Sequence, residues 1–223
     1  MINKIFHFIW ISEDFMNEQN NITPGHDIVL KSFATHNPDF EIRCWTNKDV
    51  KYLLSLSGNS TAKALLMSNK MSLVQKTDII RMIILYKYGG IYSDLDVLCI
   101  SNFDDLLDCD FFVGEEASKV RTHMNDEGNV AHDMHYINNT VIGCTKNSKI
   151  AKAFLSLVPN VNNKFRISYG PNLLETTLTL FDRQDYVILQ PDFFFVKNYF
   201  TELDTTKLTK NTKIIHFYGG AGK

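Results

Sequence analysis

Asp94 and Asp96 stand two residues apart in the run Gly89-Gly90-Ile91-Tyr92-Ser93-Asp94-Leu95-Asp96-Val97. In an extended segment side chains alternate faces, so Tyr92, Asp94 and Asp96 share one side and Ile91, Leu95 and Val97 take the other. Two carboxylates on one edge of an apolar strand repel each other. A divalent cation removes that repulsion, and hard oxygen ligands suit manganese or magnesium. An Asp-X-Asp pair by itself is a weak sign, because solvated pairs are common in turns. Upstream, Asp78 and Arg81 have the i, i+3 spacing at which helical side chains meet, so they can form an ion pair.

These residues need a helix and a strand to hold them. Ser72 and Gln75 have the spacing of a capping box, which starts a helix at residue 72, and Gly89 and Gly90 end it. At about 100° per residue, Asp78 and Arg81 fall among Val74, Leu85 and Tyr88. Ile80, Ile83 and Ile84 cover much of the rest, leaving Lys76 and Lys87 as the wet side. A helix apolar nearly all round is buried. Ion pairs inside protein are poor stabilisers because desolvation offsets the attraction. From the helix alone, a ligand-binding role for Asp78 and Arg81 therefore stands level with an internal salt bridge.

The combined run Lys76-Thr77-Asp78-Ile79-Ile80-Arg81, then Leu85-Tyr86-Lys87-Tyr88-Gly89-Gly90-Ile91-Tyr92-Ser93-Asp94-Leu95-Asp96-Val97, closely resembles the signature of glycosyltransferase family 32. That family includes yeast initiating mannosyltransferases and bacterial capsular-sugar transferases, and clostridial toxin glucosyltransferase domains are similar. The resemblance implies a single-domain GT-A fold over residues 1–223, an α/β, Rossmann-like nucleotide-diphospho-sugar transferase with a central, mostly parallel sheet. It implies a retaining, metal-dependent transferase that moves a sugar from a UDP- or GDP-sugar to a hydroxyl of a glycan or protein, as in polysaccharide synthesis. The implied cofactor is Mn2+ or Mg2+.

The resemblance also implies roles. Asp78 and Arg81 would hold the donor sugar, and Tyr92 would lie near the nucleotide. Asp96 would bind the cation directly, while Asp94 would touch the ribose or sugar and the metal shell. Trp10, after His7-Phe8-Ile9, would stack on the base; the bland alternative is a rim tryptophan, with His7 a satisfied core histidine. Asn138 and Asn139 precede Thr140-Val141-Ile142-Gly143-Cys144, and Asn139 is the better match to a family asparagine facing the reacting sugar. Gly170-Pro171 matches a Gly-Pro turn near the donor or acceptor pocket, although a helix-opening proline explains Pro171 equally well. His216, in His216-Phe217-Tyr218-Gly219, matches a late third metal ligand of related enzymes; the alternative is a surface histidine. Lys223 falls one place off the lysine such enzymes set on the diphosphate.

Composition allows this. The chain has 223 residues, 44% of them hydrophobic, enough for one well-buried domain. Its net charge of −2 gives no electrostatic case for nucleic acid. No apolar run approaches the roughly 18 residues that span a bilayer. The apolar opening is interrupted by His7 and lacks a small-residue cleavage site, so a core strand and a cytoplasmic location are expected. Cys44, Cys99, Cys109 and Cys144 lack paired metal spacing and read as free thiols.

Along the chain, strands are expected at 4–11, 40–45, 110–114, 141–144, 186–189 and 213–217. Helices are expected at 26–36, 48–56, 60–68, 103–108, 148–158 and 171–180. The alternation argues for an α/β sheet with parallel strands, whose ligands sit at strand carboxyl ends. Residues 115–136 and 191–200 break the pattern and are expected to carry acceptor specificity. His132-Asp133-Met134-His135 lacks a third ligand and reads as a solvated loop. Two rival functions remain: a haloacid-dehalogenase-type phosphatase with Asp94 as nucleophile, and a catalytically silent sugar-nucleotide binder.

Overall fold

The computed structural model describes residues 1–12, 23–56, 66, 71–118, 134–162, 167–197 and 202–217. Strand β1 (Ile5–Ile9) is apolar on both faces, as a central strand requires. Phe6 and Phe8 point into one apolar cluster, and His7 and Ile9 face the other way. Helix α1 (Pro24–His36) leads to β2 (Glu41–Trp45), which pairs parallel to β1, and α2 (Asn47–Leu56) follows. The expected helix over 60–68 lies outside the described residues apart from Leu66.

Helix α3 (Leu73–Tyr88) starts on the expected capping box. Gln75 N donates to Ser72 Oγ, and Ser72 N to Gln75 Oε1. It stops at Gly89 (φ 66°), whose N–H still reaches Leu85 O at 2.8 Å. Gly90 (φ 94°) opens β3 (Gly90–Ser93), and a Cβ there would stand 2.6 Å from Ile5 O, so no side chain fits. The helix is buried nearly all round. The expected wet side is different, however: Lys76 is only 6% exposed, while Val74 is 38% exposed.

The strand through both aspartates also differs from expectation. β3 ends at Ser93, Asp94–Asp96 form a bend, and β4 (Val97–Cys99) joins β8 (Ile214–His216) in a separate two-stranded sheet. Asp94 N still donates to Thr140 O, and Phe217 N to Asp96 O. Both ends of the bend are thus tied, to different sheets, and simple alternation across it fails.

Among the described residues the main sheet has six strands, in the order β2-β1-β3-β6-β5-β7. Strands β5 (Phe111–Ser118), β6 (Met134–Cys144) and β7 (Val187–Leu189) complete it. Only β6 runs against the others, so the sheet is mostly parallel. The pattern break expected from residue 115 to 136 is shorter than it looked, because β5 continues to Ser118 and β6 begins at Met134. Strand partners override the polar composition there. Residues 119–133, including His132 and Asp133, lie outside the described set.

β6 contains a break that matters for the site. Val113 pairs with Ile142 but Gly114 pairs with Asn138, so Asn139, Thr140 and Val141 have no β5 partner. Ile137 and Ile142 pack into the same cluster while Val141 packs into the opposite one. Residues five apart cannot share a face in a regular strand, so the alternation slips within the break.

Helices cover both faces. Trp45, Ile80, Ile84 and Phe154 belong to the core on the α3 side, where α4 (Lys149–Leu157) and α5 (Pro171–Leu178) pack. Phe6, Phe33, Phe103 and Phe194 fill the other side with β4 and β8. Residues 104–106 form a 3-10 turn rather than the longer helix expected. Within the aromatic segment after residue 190, α6 (Pro191–Phe194) is regular, Phe194 and Phe195 are buried, and residues 198–200 lie outside the described set. Cys99 and Cys144 are buried free thiols, and Cys44 and Cys109 are half-buried ones.

Candidate active site

Helix α3 carries Asp78 and Arg81 under the carboxyl end of β3. Arg81 Nη2 meets Asp78 Oδ1 at 3.0 Å with both side chains buried. The guanidinium lies 4.3 Å from the centre of the Tyr92 ring, and its Nη1 is 3.5 Å from Asp94 Oδ1. Nη1 also donates to Asn139 O at 2.5 Å. Tyr92 OH donates to Asp94 Oδ1 at 2.6 Å, and Asn139 Nδ2 to Asp78 Oδ1 at 2.8 Å. Arg81 thus sits at the hub of two carboxylates, one tyrosine and one backbone carbonyl. Its Nε remains a buried donor without a hydrogen-bond partner among the described residues.

Gly170, just ahead of α5, closes the cluster. A Cβ there would lie 2.6 Å from Asp78 Oδ2 and 2.8 Å from Asn139 Nδ2. The helix-opening reading of Pro171 is right as far as it goes, since Pro171 is the first residue of α5. It does not account for Gly170, which is small because Asp78 and Asn139 stand against it.

The electrostatics follow from this geometry. Burial lowers the affinity of the Arg81 guanidinium for its proton, but Tyr92, Asp94, Asp78 and Asp96 together outweigh that and leave its pKa above the ordinary value. Burial pushes the Tyr92 phenol well up, opposed by Arg81. Burial also raises the Asp94 carboxyl; Arg81 pulls it down and Asp96 pushes it up again. Because 29% of the Asp94 side chain still meets solvent, that rise is a tempered one.

Asp96 turns the other way. Its Oδ1 lies 3.3 Å from Nε2 of His216, which ends β8 and is buried rather than on the surface. The structure therefore brings Asp96 and His216 together, and engages Asp94 with Arg81 and Tyr92. Among the described residues no group of three or more His, Cys, Asp or Glu is already gathered to hold a metal ion. The donor set nonetheless fits a divalent cation: two neighbouring carboxylates, Asp96 raising the proton affinity of Asp94, with Asp96 beside an imidazole.

Trp10 follows β1, its N–H bonded to Trp45 O at 2.8 Å. Its indole faces the His26 imidazole, with ring centroids 4.1 Å apart at 53°. Burial lowers the His26 pKa, and the Asp96 carboxylate pulls it back up, which puts Trp10 and His26 on the Asp96 side of the site. His26 was not singled out in the sequence, where it reads as an ordinary residue in the first turn of a helix. Lys223 lies outside the described residues.

Residues 26–113 match the family described as glycosyltransferase sugar-binding region containing DXD motif. Inositol phosphoceramide mannosyltransferase 3 of Schizosaccharomyces pombe is 32% identical over 48% of this chain and 27% of its own length. Uncharacterized glycosyltransferase L373 of Acanthamoeba polyphaga mimivirus is 32% identical over 50% of this chain and 42% of its own. The chain thus spans less than half the length of these curated relatives. The solved structure of PaToxG glycosyltransferase superposes with a TM-score of 0.56 at 21% identity, covering 80% of this chain and 68% of that one. The motif match falls on the residues that carry the resemblance to glycosyltransferase family 32, and the chain contains a glycosyltransferase region of that DXD type built on the GT-A fold.

Proposed function

We propose that the chain is a metal-dependent, retaining glycosyltransferase that moves a sugar from a UDP- or GDP-sugar to a hydroxyl of a glycan or protein. One observation carries the reading. Asp78 and Arg81 of α3, Asp94 after β3 and Asn139 of β6 form a single bonded set at the carboxyl end of β3, with Gly170 packed against it. A buried set of this kind is costly for stability alone, and it serves to present fixed acceptors and donors to a polar ligand.

Asp78 accepts from sugar hydroxyls, and Arg81 and Asn139 hold its carboxylate in place. The buried Arg81 Nε offers a donor for an oxygen of the incoming nucleotide sugar. Trp10 and His26 provide ring faces for the base. Asp94, Asp96 and His216 are the residues that would hold the cation. Bound there, it supplies positive charge against the negative charge that grows on the departing diphosphate. The cluster's carboxylates are tied to Arg81, Tyr92 and Asn139. Same-face transfer, in which the departing phosphate oxygen takes the acceptor proton, therefore suits the site better than a protein nucleophile.

The test is release of nucleoside diphosphate from a panel of UDP- and GDP-sugars with manganese. Mannosyl donors come first, because one relative is a mannosyltransferase. The anomeric configuration of the product is then read by proton NMR. Turnover with retained configuration is expected. Tight donor binding without turnover of any donor would instead favour a silent sugar-nucleotide binder, and an inverted product would overturn the retaining mechanism.

A further inference from the structure

The break in β6 delivers Asn139 to the site, and something must hold that break in shape. The structure points to a pair on the far face of the sheet. Asn138 Oδ1 accepts from Thr140 N at 2.8 Å, which closes an Asx turn over Asn139. Asn138 Nδ2 donates to Glu116 Oε2 at 2.6 Å. Glu116 is only 3% exposed, so its carboxylate is committed to protein partners rather than to water. It lies two residues past Gly114 on β5, on the face where a Gly114 Cβ would strike Phe194 and Phe195. That is the opposite face of the sheet from Asp78 and Arg81. Glu116 therefore lies across the sheet from Asp78, and its bond to Asn138 links it to the strand that carries Asn139.

We propose that Glu116 is a positioning residue. By orienting the Asn138 carboxamide it fixes the turn Asn138–Thr140. That turn in turn aims Asn139 O at Arg81 and Asn139 Nδ2 at Asp78. Its kinetic consequence rests on the function proposed above, whereas its structural consequence does not. The sequence singles out Asn138 and Asn139 together, and the structure divides their labour: one faces the sugar site and the other holds the strand that places it.

The pair can be tested by exchanging donor and acceptor. Asn138→Asp keeps an oxygen for Thr140 N but sets a carboxylate against Glu116. Adding Glu116→Gln restores a bond across the pair, now with the carboxamide on β5 donating. The readouts are the Asn139 side-chain amide signals in a nitrogen–proton NMR correlation spectrum, and kcat and KM for nucleoside diphosphate release. Asn138→Asp alone is expected to shift or broaden the Asn139 signals. It should also lower kcat by about 10- to 100-fold with donor KM little changed, because a misplacement near 1 Å can cost that much. The double variant is expected to bring both readouts back toward wild type, and Glu116→Gln alone to stay close to it, since the amide oxygen can still accept from Asn138. Asn139 signals unmoved in Asn138→Asp, or no recovery in the double variant, would overturn the proposal. A wild-type protein that turns over no donor would defeat the functional reading instead, and the Asn139 signals would still decide this one.

Discussion

Gly170 and Asp78 stand so close that a methyl group on Gly170 would lie 2.6 Å from Asp78 Oδ2. Gly170→Ala must therefore push Asp78, Asn139 or the start of α5 aside. The expected result is a stability loss of about 1–3 kcal/mol from overpacking. A fall in kcat should accompany it, larger than any change in nucleoside diphosphate affinity. Urea unfolding together with steady-state kinetics measures both, and an unimpaired Gly170→Ala enzyme would remove Gly170 from the site.

Arg81 neutralises a buried carboxylate. Arg81→Ala leaves Asp78 uncompensated and should lower stability by about 3–5 kcal/mol. Adding Asp78→Asn removes the stranded charge and should restore part of that loss, with activity still absent. Recovery of turnover in the double variant would mean that neither residue serves the donor.

Asp96→Asn weakens the pair with His216 and removes one charge from the expected cation set. Manganese-dependent release of nucleoside diphosphate should drop by at least about 100-fold. The thermal midpoint should stay within a few degrees, because 28% of the Asp96 side chain is exposed. Full activity in this variant would mean that the cation is held elsewhere.

Trp10→Ala should weaken nucleoside diphosphate binding by about 1–3 kcal/mol, the usual loss of one stacked base. Calorimetry with the diphosphate and manganese reads it directly. Because His26 shares the same ring contact, His26→Ala should give a smaller loss in the same assay. Affinity unchanged in both would exclude base stacking at this edge.

His7 makes stability depend on pH. Trp45 Nε1 donates to His7 Nδ1 at 3.2 Å, so Nε2 carries the proton and donates to Gly89 O at 2.8 Å. Burial, the leading cause, lowers its pKa from 6.5 to about 4. The unfolded chain then binds a proton in a range where the folded one does not. The stability linked to His7 is complete above pH 6.5 and is lost as pH falls toward 4. At pH 5 the loss is about 2 kcal/mol. Urea midpoints at pH 7.5 and pH 5 should differ less in His7→Gln than in wild type; an equal difference would exclude His7 as the source.

Much of this was readable in the sequence, for reasons that lie in short-range chemistry. Ser72 and Gln75 cap a helix through neighbours three residues apart, and Gly89 stops it through its own backbone freedom. The i, i+3 spacing of Asp78 and Arg81 needs only the helix to bring them together. The spacing of Asp94 and Asp96 misled, because whether a strand continues is decided by what lies beside it. Here Thr140 holds one end of the bend and Phe217 the other, from opposite parts of the chain. Glu116 and His26 gave no local sign. Each meets a residue distant in the sequence, Asn138 on β6 for the first and Trp10 after β1 for the second.

The bend at Asp94–Asp96 belongs to two sheets at once, and this limits how the protein can be shortened. The matched region ends at residue 113. A fragment trimmed to it would keep both aspartates yet lack Thr140 and Phe217, the anchors that give the bend its shape. Such a fragment would retain the written motif without the site, so any dissection of this protein has to carry the chain through Phe217.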